Sequence, residues 1–327
     1  MKRVHWFVLL AVLSGFLFSS RAVGLALDPA RIHVGGGASP FTLIFRLAED
    51  KGYYKEERLR LEAIAATMQA GIQGLIGGSF DFSQIMGQSS AAIMRGGAPL
   101  KILMVFDTRP LWWLMGSKRV KAVRDLKGGK LVAISGFGSA HDQMTRAVLL
   151  RDGVDPEKDV PLQVIGTSMG RLAALLNGTV DAVAVQSVDR LIALKNGLNE
   201  LVFIGDVVET LNAGVAVSEI GLRQRPDFVR RFLRGTLRAF HRYKSEEKGL
   251  VSRIATSFKT SESESLEIYR GVLRVLTADG TMPRDLQERI IAFQKKALKV
   301  EKAITPEMIY DFSLVHALNR ELAKAGS

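Results

Sequence analysis

The stretch "KLVAISGFGSAHDQMTRAVLLRDG", Lys130 to Gly153, decides the fold. An apolar run, Leu131–Ile134, breaks at Ser135, passes two glycines at Gly136 and Gly138, and enters a stretch that reads as a helix ending at Gly153. A second apolar run, "VPLQVIG", follows at Val160–Gly166. Strand, helix and strand at this spacing predict a right-handed βαβ crossover, with the two strands parallel in one sheet.

The pattern extends in both directions. Upstream, "RIHVGGG", "RLRLEAIAA", "DFSQIM" and "KILMVF" read as strands, with "PFTLIFRLAEDKG", "MQAGIQGLIGG" and "SSAAIMRGG" as helices between them. Ser39 is the expected N-cap of the first helix, with Pro40 at its first position and Gly52 as its stop. Ser89 or Ser90 is the expected cap of the third. Downstream, "MGRLAALLNG" and "SVDRLIALKNG" are helices, and "DAVAVQ" and "LVFIG" are strands. Two such series predict two α/β lobes with mostly parallel sheets. From Pro226 onward the chain changes to helical periodicity, in "DFVRRFLRGTLRAFHRYK", "SESLEIYRGVLRVL", "RDLQERIIAFQKKAL" and "PEMIYDFSLVHALNREL". These are expected to pack on one lobe as a helical cap.

Composition narrows the function. The 327 residues include no cysteine, which removes disulfides, thiolate nucleophiles and cysteine metal sites. Lys2 and Arg3, the apolar run Trp6–Phe18 and the small residues of "AVGLA" have the layout of a secretory signal peptide, residues 1–26, cleaved after Gly24 or Ala26. The run is short for a membrane span, which needs about 20 apolar residues. The formal charge is +12, or +9 without Lys2, Arg3 and Arg21. The basic residues are dispersed among acids with no arginine-rich run, so nucleic acid is not an expected partner.

The glycine loop fails the tests for nucleotide chemistry. A dinucleotide fingerprint needs a third glycine where His141 stands, and "VPLQVIG" ends without an acid for a ribose. "GGGASP" at Gly35 lacks its third glycine, and "GGKL" at Gly128 lacks the serine or threonine of a phosphate loop. Ser139, His141 and Asp142 resemble a triad only as letters, because helix neighbours one or two apart do not face each other. Ser139 reads instead as an N-cap with Asp142 as its capping-box partner. The five histidines include no pair spaced i, i+4, so no metal site is expected. No catalytic residue and no cofactor are expected.

What the loop offers is backbone. A helix start exposes unsatisfied N–H groups and about half a positive charge, a seat for a carboxylate, sulfonate or phosphate. Polar groups stand at similar strand-to-helix junctions at Ser39, at Gln88-Ser89-Ser90, at Thr167-Ser168 and at Gln186-Ser187. In α/β sheets ligands bind at that edge. Trp112 and Trp113 lie between the two series, and in an extended segment one faces inward and the other outward. Trp112, with Phe41 and Phe137, is a candidate to stack on a ligand ring.

The segments "LAEDKGYYKEERLRLEAI", "GLIGGSFDFSQI", "GGAPLKIL", "LKNGLNELVFIGD" and above all Val123–Ala182 resemble periplasmic solute-binding proteins of ABC transporters of the nitrate, sulfonate and taurine type, relatives of thiamine-pyrimidine precursor binders. The resemblance implies a two-lobe α/β flytrap of the second periplasmic-binding type with a C-terminal helical extension. Lobe I would hold residues 27–114 plus 214–327 and lobe II residues 115–213, with hinge crossings near "LWWLMG" and "LNAGVAVS". It further implies a monomeric, non-enzymatic periplasmic protein that captures a small organic or anionic solute and delivers it to an inner-membrane ABC permease. The family's ligand loops fall on Ser39, Gln88, Ser89, Ser135, Gly138, Ser139, Thr167 and Gln186. Two other roles share the pattern: a ligand sensor for a signalling receptor, and a thiamine-pyrimidine synthase, whose cysteine-rich motif is missing here. No arginine or acid stands in the ligand loops to declare a ligand charge.

Overall fold

A computed structural model describes residues 26–35, 39–137 and 139–325, with the side chains of Met68, Ile85 and Gln88 left aside. The signal-segment expectation, residues 1–25 in particular, lies outside the described residues, as does Gly138. In chain order the first half runs β1 (Asp28–Gly35), α1 (Thr42–Asp50), α2 (Tyr53–Glu56), β2 (Leu59–Ala66), α3 (Met68–Ile76), β3 (Phe82–Ile85), α4 (Met86–Gly96) and β4 (Leu100–Val105). The second runs β5 (Trp112–Gly116), β6 (Val132–Ile134), α5 (Ala140–Arg151), β7 (Leu162–Val164), α6 (Ser168–Leu176), β8 (Ala182–Gln186), α7 (Ser187–Lys195) and β9 (Asn199–Phe203). β10 (Ala213–Ser218) then leads into α8 (Glu219–Gln224), α9 (Pro226–Tyr243), α10 (Glu247–Phe258), α11 (Glu262–Val275), α12 (Arg284–Leu298), α13 (Pro306–Ile309) and α14 (Ser313–Ala325).

Two five-stranded sheets result, ordered β2-β1-β3-β10-β4 and β7-β6-β8-β5-β9. The βαβ units pair in parallel as expected, β1 with β2 and β6 with β7. Each sheet also contains one antiparallel strand, second from its edge. β5 runs against β8 and β9, and β10 runs against β3 and β4. The chain therefore leaves the first sheet after β4, gives the second sheet its odd strand, and returns to give the first sheet β10. β5 lies wholly in the second sheet, so the first crossing precedes Trp112 and the boundary expected at Leu114 falls inside that strand.

The crossings are clasped to one another. Phe106 N donates to Ala213 O at 2.8 Å, Thr210 N to Thr108 O at 2.9 Å, and Ala213 N to Asp107 Oδ1 at 2.9 Å. A third segment joins them where Thr277 N donates to Phe106 O at 2.8 Å. Asp107 is fully buried here, and its Oδ2 has no hydrogen-bond partner. Burial pushes its carboxyl up to about 8, against the opposing pull of its bonds to Ala213 and Asn212.

The core of the first lobe explains where α9 goes. Phe232 stacks on Phe82 of β3 with ring centroids 3.8 Å apart and on Tyr54 of α2 at 5.3 Å. Such aromatic pairs add about 0.5–1.5 kcal/mol beyond their buried area. Arg234 forks onto the buried Glu57 with bonds of 2.6 and 2.5 Å. The C-terminal helices do not keep to one lobe, contrary to the expected cap. Lys195 of α7 pairs with Glu264 of α11 at 2.6 Å, Arg190 of α7 also pairs with Glu267 of α11, and Phe293 of α12 packs against the core of the second lobe. The expected final helix is broken into α13 and α14, with Tyr310 in extended backbone between them.

Several expected helix ends moved. Gly52, at φ 73°, follows α1 as a stop should. α1 begins only at Thr42, because Ser39-Pro40-Phe41 forms a turn in which Ser39 O accepts from Thr42 N, so Ser39 is not the N-cap. α4 starts directly from β3 at Met86, whose N–H bonds to Asn212 O, so Ser89 and Ser90 lie buried within the helix and do not cap it.

Two outcomes check this framework. A Cβ added at Gly214 of β10 would meet Met104 O at 2.1 Å, a backbone atom that cannot turn aside. Gly214→Ala should cost about 1–3 kcal/mol as overpacking, read as a lower urea midpoint at constant m; an unmoved midpoint would mean the strands are not this close. Asp107 binds its proton more tightly folded than unfolded, so its contribution to stability is complete below about pH 4 and is lost as pH rises toward about 8. Wild type should therefore lose melting temperature over that window relative to Asp107→Asn; parallel curves would refute the buried neutral carboxyl.

Candidate functional site

A cavity of about 350 Å³ lies between the lobes. The first lobe supplies one face of α4, Gly87, Ala91 and Arg95. The crossings supply Pro110 and Thr210–Asn212, and the second lobe supplies Trp112, Ser135, Gln186 and the first turns of α5. Phe293, Gln294 and Leu298 of α12 close the remaining side. α12 is held there by a buried bond of 2.5 Å from Ser90 Oγ to Gln294 Oε1. The volume sits at the low end of the range for small-molecule pockets.

Four of the expected ligand residues meet here: Ser135, Ser139, Gln186 and Trp112. The register of β5 against β8 sets Trp112 directly opposite Gln186. Strand alternation then sends Trp113 the other way, into a packed layer against Phe203, with the Arg190 guanidinium over its ring at 4.9 Å. Ser139 caps α5, its Oγ accepting from Asp142 N at 3.1 Å and lying 2.9 Å from Ser135 Oγ. The Asp142 carboxylate pairs with Arg146 Nε at 2.7 Å. The helix start thus presents two hydroxyls and the positive end of a twelve-residue helix.

The other expected residues stand elsewhere. Thr167 caps α6 by accepting from Gly170 N and does not line the cavity. Gly138 and the Gln88 side chain lie outside what is described. Ser39 and Ser89 do not line it, Ser89 being fully buried in α4. Phe41 is a core residue, only 2% exposed, because the turn before α1 folds it inward. Phe137 is 68% exposed at the loop tip and does not line the cavity.

His141 also lines the cavity, a position the sequence did not single out. It is 4% exposed, and its ring meets Trp112 edge-on at 5.4 Å. Nε2 lies 2.9 Å from Ala184 O, and a carbonyl only accepts, so Nε2 carries the proton and Nδ1 is a bare acceptor without a partner. Burial, and then the nearby Arg171 charge, push its pKa down to about 4, so the ring is neutral at pH 7. Neither Ser139 nor His141 is placed as a nucleophile–base pair, since the two are bonded to Ser135 and Ala184 instead. Arg95 was missed too. Its only signal is that it follows Gly87 and Ala91 at intervals of four, which places all three on one helix face. Asn212, Phe293 and Gln294 carried no signal, since they reach the cavity from distant segments.

Among the described residues no group of three or more His, Asp or Glu could hold a metal, and no helix is long and apolar enough to cross a membrane.

The family model described as NMT1/THI5 like matches residues 40–246, more than half of the chain. No curated protein matches it by sequence. Among solved structures, the periplasmic aliphatic sulphonate binding protein SsuA from Escherichia coli is 18% identical at a TM-score of 0.70, covering 88% of this chain and 99% of that one. The periplasmic nitrate-binding protein NrtA from Synechocystis PCC 6803 is 14% identical at 0.71, covering 90% and 89%. The desulfurization enzyme DSZB is 13% identical at 0.68, covering 90% and 99%. By its family model the chain belongs to the NMT1/THI5-like family, and its two lobes have the fold of the periplasmic solute-binding proteins of ABC importers.

Proposed function

We propose that this protein is the extracytoplasmic binding component of an ABC importer. It would capture a small organic or anionic solute between its lobes in the periplasm and deliver it, as a monomer, to an inner-membrane permease. One observation carries the reading: the cavity takes its walls from both lobes and from the crossings between them. A solute touching both walls stabilises the closed arrangement by its differential contacts, and that is the signal a permease reads. Ser135, Ser139 and the α5 start hold the polar head, Gln186 and Asn212 add amides, and Trp112 covers an apolar or aromatic part.

The likeness to an enzyme of the same fold raises a catalytic alternative. Against it stand the bonding of Ser139 and His141 described above and the absence of cysteine from the sequence. Mass spectrometry of a bound solute separates the two: a binding protein returns it unchanged.

A thermal-shift screen of the signal-free protein against taurine, alkanesulfonates, nitrate, aromatic carboxylates and pyrimidine precursors should show one responding class. A ligand at 100 times its Kd adds about 2.7 kcal/mol of stability. Silence across the panel would count against solute capture from these classes. Once a responder is known, Ser139→Ala should cost about 1 kcal/mol of folding stability through the lost cap and also weaken binding, as should Ser135→Ala. If both variants bind as wild type does, the head group is not seated at α5.

A further inference from the structure

Resting on the binding reading above, we propose that the cavity is built for an elongated organic acid: its negative charge lies at Arg95, its uncharged polar head lies at the start of α5, and its apolar body follows α4. The geometry sets the length. Gly87, Ala91 and Arg95 line the cavity along one face of α4. Eight residues of helix rise about 12 Å. A compact ion such as nitrate reaches one end of that span; an extended molecule reaches both.

The charges set the polarity. Among the described lining residues there is no carboxylate, and Arg95 is the one charged side chain. Arg95 makes no ion pair and no hydrogen bond to any described residue, unlike most of the arginines of this chain. The rest of the polar lining carries no charge: the hydroxyls of Ser135 and Ser139, the amides of Gln186 and Asn212, and the ring of His141, which burial keeps neutral. Asn212 stands at the Gly87 end of the α4 face, its backbone oxygen accepting from Met86 N. The bare Nδ1 of His141 calls for a donor and the α5 start for an acceptor, and a hydroxyl or primary amide is both. Trp112, Met144 and Leu298 supply an apolar wall.

The test uses isothermal titration of the mature protein and of Arg95→Ala with three probes: 8-hydroxyoctanoate, its methyl ester and ethanesulfonate. Arg95 is exposed at the end of its helix, so the variant should keep its fold, checked by melting temperature. Wild type should bind the acid at least about tenfold more tightly than the ester, and Arg95→Ala should erase that advantage, the signature of a direct coupling between the side chain and the charge. Arg95→Lys, which keeps the charge, should restore part of it. An advantage that survives Arg95→Ala, or equal binding of acid and ester, overturns the Arg95 subsite while solute binding stands. Binding of ethanesulfonate alone overturns the elongated class and leaves the proposed function intact. No binding by any of the three also overturns the elongated class, and the broader panel above then decides the proposed function separately.

Discussion

Everything in this molecule depends on an exchange of strands. β5 and β10 each enter a sheet whose other four strands run the opposite way. Neither sheet is complete without a strand delivered across the gap. The two crossings are then bound to each other through Phe106, Asp107, Thr108, Thr210 and Ala213. Lobe orientation is thus set over a few residues of extended chain, fixed by backbone hydrogen bonds that burial makes costly to break. The buried Asp107 carboxyl sits in that clasp, and its partner Asn212 also lines the cavity. The clasp between the crossings and the cavity thus share a residue.

The C-terminal helices add a second constraint. α9 completes the core of the first lobe through stacked aromatics, whereas α11 and α12 reach the second lobe through ion pairs and Phe293. One partner of each pair is half or more exposed, so solvent and salt screen these pairs and each is worth little on its own. A bridge made of them holds an arrangement without freezing it, as the closure proposed above requires. The aromatic core beneath α9 is of the opposite kind: buried, closely packed and costly to disrupt.

The site combines two chemistries that belong to different levels of structure. The helix start at α5 is local, built by Ser139 and the backbone of the next turn. The charged end at Arg95 and the neutral ring of His141 are tertiary. A histidine in water would be partly protonated near neutrality, and most of the described arginines of this chain pair with a carboxylate. Burial against Ala184 settles the first, and a cavity without carboxylates settles the second.

The sequence by itself determined the βαβ units, the break between the two series, the helical remainder and the cap at Ser139, because each is written in hydrophobic period, turn residues or a hydrogen bond spanning three positions. It also singled out Trp112 and Gln186, which a single strand pairing brings face to face. It could not show that β5 and β10 change sheets, since an antiparallel strand has the same period as a parallel one. It misplaced Ser39 and Ser89, where a turn and an early helix start overrode the capping preference, and Phe41, which the core claimed. Arg95, Asn212 and Phe293 came to line one cavity only when segments some 80 to 200 residues apart closed on it. Local periodicity encodes elements; only their packing decides which side chains share a space and what charge each of them keeps.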